Sequence, residues 1–249
     1  MVTVAGVDGR RGGWALALAE VSGPGDARLQ AVEWAVIPGQ DADGAAAVFE
    51  RARAAGAVAV GVDAPIGLPD HAWRPCDLLA KRRLGRASAR VFLAPPREVL
   101  AAPDYGTARA CARRVLDGKG VSAQAFGIRG IVLAVDDALR AERGAPAGHR
   151  GRAAWARRHV VEVHPELSFM AMSGRTQPLP PKRTPAGRAA REAALAAWLA
   201  PGLVLDAPDG DDHLDALAAA WSAERWARGA AEVLGGEIDA VGLPMRMVT

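Results

Sequence analysis

Four aspartates stand where a chain of this kind could assemble a reactive centre. Asp8 ends the apolar run Val2–Val7 and opens a glycine-rich turn, Gly9–Gly13. Asp63 ends a second apolar, β-branched run, Val58–Val62, and is followed by Pro65, Gly67 and Pro69, which break regular structure. Asp212 and Asp215 are three residues apart at the start of a helical pattern, so their side chains share one face. Carboxylates brought within reach of one another repel unless they are protonated or bridged by a cation. Oxygen donors without a thiolate or histidine cluster favour Mg²⁺ or Mn²⁺ over Zn²⁺. Two such ions ~3.5–4 Å apart could activate a water and stabilise the leaving oxygen of a phosphodiester. Asp211, Asp212 and Asp215 taken alone also suit an ordinary helix N-terminus, where the dipole favours negative charge. The strand ends at Asp8 and Asp63 are what give the cluster its chemical meaning.

Those aspartates need a scaffold that brings distant segments together. Val2–Val7, Trp14–Glu20 and Leu29–Ile37 read as three strands joined by tight turns at Gly9–Gly13 and Ser22–Asp26, an antiparallel meander. Asp41–Ala55 has helical composition with Asp41 as N-cap, and Gly56 stops it. Val58–Val62 is then a buried strand reached through a crossover helix, hence parallel to its neighbour. Parallel neighbours place Asp8 and Asp63 side by side at their carboxyl ends, where open α/β sheets bind ligands. The expected fold class is α/β: an RNase H-like mixed five-stranded sheet flanked by helices, with a basic helical insertion at about 70–158, all in one domain of 1–249. Within the insertion, Trp73–Leu84, Tyr105–Leu116 and Ile131–Arg143 read as helices. His159–Val163 is the next strand, Pro185–Leu199 and Asp211–Arg228 are helices, and the tail Ile238–Thr249 is a candidate edge strand. The small residues after Asp215, through Ala220, imply a helix packed tightly on the sheet.

Charge is unevenly distributed. From Asp70 to Val160 there are 18 Lys and Arg against 8 Asp and Glu, although the whole chain carries only +3. A basic middle suits a polyanionic partner and makes nucleic acid, DNA or RNA, the expected one; arginines on ordinary solvated helices would give the same count. Arg82, Arg83, Arg86, Arg90 and Arg97 are candidates for gripping a phosphate backbone, and single members for plain surface. With one Tyr and four Phe, a base-stacking platform has little material. Cys76 and Cys111 have no metal-like spacing and read as small core residues. No leader and no apolar stretch of ~20 residues is seen, so a cytoplasmic location with no membrane contact is expected.

Other residues carry two readings each. Glu162 and Glu166 flank His164: an extra acid and a proton shuttle beside the metals, or a strand end where Pro165 opens a helix that Glu166 favours electrostatically. Lys182, with Arg183 and Arg188, lies in or after a Pro-rich loop. Solvated loop cations are commoner, but a lysine beside a metal site is a sound partner for transition-state charge.

Several motifs resemble one family. Val7-Asp8-Gly9-Arg10-Arg11-Gly12-Gly13-Trp14, Val62-Asp63-Ala64-Pro65-Ile66-Gly67-Leu68-Pro69, Glu162-Val163-His164-Pro165-Glu166 and Asp212-His213-Leu214-Asp215-Ala216-Leu217 are similar to the domain of unknown function family 429. So are Arg74-Pro75-Cys76-Asp77, Leu84-Gly85 and the segment 91–97. The resemblance, from about Val4 to Gly229, implies an RNase H-like fold and a nuclease activity. RuvC-type junction resolvases offer the mechanistic parallel, with Asp8 and the Asp212/Asp215 pair in matching places and Asp63 where those enzymes carry Glu. The reading that follows is a metal-dependent nuclease with Asp8, Asp63, Asp212 and Asp215 as metal ligands, and Glu162 and Lys182 as further catalytic candidates. A small-molecule phosphotransferase built on the same core and an inactive nucleic-acid-binding protein are the rivals.

Overall fold

The computed structural model describes residues 1–23, 25–140, 147–208 and 210–249, the side chains of Ala147 and His149 excepted. The end of the helix expected at Ile131–Arg143 and part of the Ser22–Asp26 turn lie outside the described residues. Seven strands form one sheet: β1 (Val2–Arg10), β2 (Gly13–Val21), β3 (Leu29–Pro38), β4 (Val60–Asp63), β5 (Val160–Val163), β6 (Val233–Ile238) and β7 (Pro244–Val248). Their spatial order is β3-β2-β1-β4-β5-β7-β6. The first five strands stand as the sequence implies, with β1–β3 antiparallel and β4 and β5 parallel to β1.

The sheet has seven strands rather than the expected five. The tail does not form the edge: β7 lies inside, parallel to β5, and β6 covers its far side. Two glycines in β6, Gly235 and Gly236, adopt positive φ beside a register shift, which erased the alternation a strand reading depends on.

Helices follow in the order α1 (Ala42–Ala54), α2 (Pro75–Leu84), α3 (Arg97–Leu100), α4 (Tyr105–Val115), α5 (Ala123–Gly127), α6 (Arg129–Leu139), α7 (Ala147–His159), α8 (Pro165–Met172), α9 (Pro185–Ala196) and α10 (Asp211–Ala227). Asp41 caps α1, accepting from the Gly44 N–H at 2.9 Å. The stretch between β4 and β5 is helical, as expected, but it is divided between two faces of the sheet. The buried residues of α2, Cys76, Ala80 and Leu84, join the same core as α10. Those of α6, Ala134, Val135 and Leu139, join the core beneath α1. Among the described residues, no helix is long and apolar enough to cross a membrane.

α10 lies almost against the backbone of the central strands. Ala216, Ala219, Ala220 and Ala223 recur at helical spacing and are fully buried. They face Gly6 in β1 and Gly61 in β4. A Cβ on Gly6 would overlap the Ala216 carbonyl oxygen, and one on Gly61 would overlap that of Ala219. Because backbone cannot yield as a flexible side chain can, Gly6→Ala must lever the helix off the sheet. The expected cost is roughly 1–3 kcal/mol of stability in denaturant unfolding; an unshifted midpoint would contradict this packing.

Candidate functional site

Gly-Val-Asp occurs twice, at 6–8 and 61–63, and the parallel register sets the two copies side by side. Gly6 pairs with Gly61 and Asp8 with Asp63. Strand alternation places each Asp on the same face as the Gly two residues earlier, the face on which α10 rides. The glycines therefore bring the helix close, and its first turns carry Asp215 to the strand ends. Asp8, Asp63 and Asp215 all line one pocket of about 510 Å³. The twice-used Gly-Val-Asp is a signal in the sequence that the reading of single acids passed over.

The three carboxylates are held under electrostatic tension. Burial, and then the charges of Asp63, Asp215 and Asp212, push the Asp8 carboxyl well above the usual range, with Lys182 opposing. Burial followed by the Asp215 charge raises Asp63 to about 8. Asp215 is also raised by burial, less so because Lys182 counters it. Lys182 Nζ donates to Asp215 Oδ2 at 2.7 Å. Burial works against the lysine's charge, but Asp215 outweighs it and raises its pKa.

The loop bearing Lys182 is braced. Arg191 donates to the Pro180 carbonyl at 3.0 Å and to that of Gly187 at 2.8 Å, and it also pairs with Glu166. Thr184 Oγ1 donates to the Pro181 carbonyl at 2.8 Å and accepts from the Gly187 N–H at 3.0 Å. Lys182 is thus aimed by its loop, and Arg183 lines the same pocket.

The remaining candidates are placed differently. Asp212, one turn before Asp215, pairs at 3.8 Å with Arg10, the last residue of β1; it does not line the pocket. Glu162 is buried and its oxygens are engaged: Oε1 accepts from Arg74 Nη2 at 2.6 Å and Oε2 from the Ile66 N–H at 2.7 Å. Arg74 also pairs with Asp77 at 3.1 Å, and Asp77 Oδ2 accepts from the Ala94 N–H at 2.8 Å. This buried knot ties the loops after β4 and before α3 to the pocket floor. Burial raises Glu162 to about 7, with Arg74 opposing. His164 lines the pocket, and its Nε2 meets the Arg90 carbonyl at 3.2 Å; burial lowers its pKa. Glu166 pairs with Arg90 and Arg191, so its main engagement is with side chains. Cys76 is buried against Arg74, whereas Cys111 is only partly buried.

The arginines expected to act together are dispersed. Arg97 is bound to Asp136 at 2.9 Å and Asp239 at 2.7 Å, tying α3 and α6 to the β6–β7 connection. Arg83 pairs with Glu232, and Arg90 with Glu166. Arg82 and Arg86 stand exposed.

Two acidic groups were tested as cation sites by their donors. Cys76, Asp77 and Glu162 offer donor atoms within 4.8 Å of one another, but the Arg74 guanidinium already neutralises that group, so it does not fit a metal. Asp8, Asp63 and Asp215 carry the hard oxygen donors that suit a divalent cation, although as they stand their donor atoms do not all lie within 4.8 Å of one another. They are oxygen donors facing open space, desolvated and mutually repelling, and a cation would let all three ionise near neutral pH.

A mixed sheet with a carboxylate pocket at the carboxyl ends of its parallel strands defines this molecule as an α/β protein with a switch-point site. The chain belongs to the family described as "Protein of unknown function (DUF429)", whose model matches residues 6–240. Among solved structures, the RuvC structure from Thermus thermophilus is similar at 18% identity, covering 92% of this chain and 98% of that one, with a TM-score of 0.42. No curated protein matches the chain.

Proposed function

We propose that this protein hydrolyses phosphodiester bonds of DNA or RNA with Mg²⁺ or Mn²⁺ held by Asp8, Asp63 and Asp215. The observation that carries the reading is the pairing of Asp8 with Asp63 at adjacent strand ends, closed over by Asp215 from α10. When bound, the cation supplies the positive charge that activates a water and steadies the leaving oxygen. The protein's own groups do the rest. Lys182 stands against Asp215, placed to neutralise a phosphate oxygen as charge builds in the transition state. Asp212, held by Arg10, adds to the negative potential that draws a cation in. Glu162 acts as a positioning residue: one oxygen accepts directly from the Ile66 N–H, just past the pocket-lining Pro65, while Arg74 holds the other. In the reaction the water oxygen bonds to phosphorus, the ester P–O bond opens, and a water proton ends on the departing oxygen.

The purified chain should hydrolyse bis(p-nitrophenyl) phosphate and at least one nucleic acid with Mn²⁺ or Mg²⁺, and neither in EDTA. Absence of turnover on every substrate with both metals would overturn the reading. Lys182→Ala should lower kcat by about 10²–10³-fold, the loss typical of one preorganised donor to a developing anion. A variant as active as the parent would remove Lys182 from the mechanism.

A further inference from the structure

The shape of the pocket says which form of nucleic acid this site accepts, and the inference rests on the phosphodiesterase reading above. Helix α6 stands over Gly9, the residue after the first aspartate: a Cβ on Gly9 would come within 2.5 Å of Ile131 Cδ1, and Ile131 lines the pocket together with Asp8. Ile131 and Val132, with Ile128 just before them and Phe92 from the preceding loop, form an apolar wall across the space that Asp8, Asp63 and Asp215 face. Phe92 is 37% exposed although it is a large apolar residue. The result is a recess of about 510 Å³ rather than an open cleft. That volume is in the range of a small-molecule site, roughly 300–1,000 Å³. A recess of that size is matched to one unstacked nucleotide rather than to paired strands, as where enzymes extrude a base from the stack into a pocket.

A second hollow of about 530 Å³ adjoins the recess, with Arg90 and Pro181 lining both. Arg86 and Arg175 line this second hollow and are exposed, and neither has an ion pair among the described residues. Arg90, between the two, is already held by Glu166 and the Leu179 carbonyl and serves as a fixed wall. An apolar recess for one base, acids at its floor and free arginines along the adjoining hollow match a polyanionic chain one nucleotide at a time.

We propose that the site takes the end of a single-stranded nucleic acid. The terminal nucleotide seats against the Phe92–Ile131 wall, and the following phosphates cross Arg86 and Arg175. Water adds to the phosphorus of the terminal diester, the ester P–O bond breaks, the proton passes to the departing oxygen, and a mononucleotide is released.

The test uses the full chain and two readouts. In EDTA, fluorescence anisotropy should show a labelled single-stranded 12-mer binding about tenfold more tightly than the blunt duplex. Arg86→Ala combined with Arg175→Ala should weaken single-strand binding by about tenfold and reduce the slope of log K against log salt by about 1.4, two phosphates' worth. With Mn²⁺, the linear strand should lose mononucleotides from one end and a circular single strand should stay intact. Equal or tighter duplex binding, no oligonucleotide binding, an unaltered salt slope in the double variant, or a cut circle would each overturn the proposal. Turnover of bis(p-nitrophenyl) phosphate separates the two ideas. If it persists while the oligonucleotide results fail, the substrate assignment falls and the hydrolase reading stands; if no substrate is turned over with either metal, both fall.

Discussion

Asp63→Asn is expected to abolish metal-dependent hydrolysis, lowering kcat at least about 10³-fold, while making the metal-free protein more stable at pH 8. Loss of one carboxylate oxygen charge from a three-aspartate site removes both a ligand and part of the field that holds a divalent ion. The opposite effect on stability follows from the same electrostatics. Folding buries Asp63 beside Asp215 and raises its pKa from 3.8 to about 8. The folded state therefore binds a proton that the unfolded state has released, and stability falls as pH rises from about 4 towards 8. Asparagine carries no charge to bury. A gain of about 1–2 kcal/mol would appear as a rise of roughly 2–8 °C in Tm for a chain of this size. Mn²⁺ should have the converse pattern. At about 100 times its Kd, it should raise the parental Tm by roughly 5–11 °C, more at pH 8 than at pH 6 because it competes with the proton, and should leave the Asp63→Asn Tm nearly unmoved. Calorimetry at the two pH values, with and without Mn²⁺, checks all three expectations. A variant that is inactive and also less stable without metal would mean that Asp63 holds the fold together rather than the ion.

The strand ends were legible because both acids follow apolar runs, and because a crossover helix between two strands leaves the second parallel to the first. Asp215 was legible through the alanines after it, which demand a close-packed helix. What could not be read was reach. Asp212 and Asp215 share a helix face, but only Asp215 lines the pocket; one turn earlier, Asp212 meets Arg10, the last residue of β1. Side-chain spacing fixes a face and says nothing of where the sheet stops. The arginines divide for a related reason. A local excess of positive charge records composition; Arg90 and Arg97, like Arg74, each find an acid distant in sequence, at Glu166, Asp239 and Glu162, whereas Arg86 has no ion pair among the described residues. These pairings depend on tertiary contacts that no local pattern encodes. The apolar wall over Asp8 was hidden likewise, since Phe92, Ile128 and Ile131 look like ordinary core residues until α6 is placed above β1.

Arg74 offers the sharpest measure of how far the pocket depends on such pairings. It is fully buried, and its Nη2 serves both Asp77 and Glu162. Burial alone would lower the guanidinium's pKa, but the two acids outweigh it and raise it. Arg74→Met keeps the stem and strips the charge, leaving two carboxylates desolvated with no counter-ion. Breaking a buried pair in this way costs about 3–5 kcal/mol, a fall of roughly 6–20 °C in Tm. The loss should be smaller at pH 5 than at pH 8. Without arginine the folded carboxylates titrate still higher above their unfolded values, so the variant keeps most stability where they are protonated and loses it as pH rises through their folded pKa. Adding Asp77→Asn and Glu162→Gln should recover much of the loss, because neutral groups need no buried cation and both can still accept from the Ala94 and Ile66 N–H groups. If the triple variant regains its Tm and its hydrolysis, the knot acts by position alone and Glu162 takes no part in the chemistry. If Tm returns without activity, the Glu162 charge itself acts on the pocket, and its place beside Val62 on the neighbouring strand, one residue before Asp63, becomes functional as well as structural.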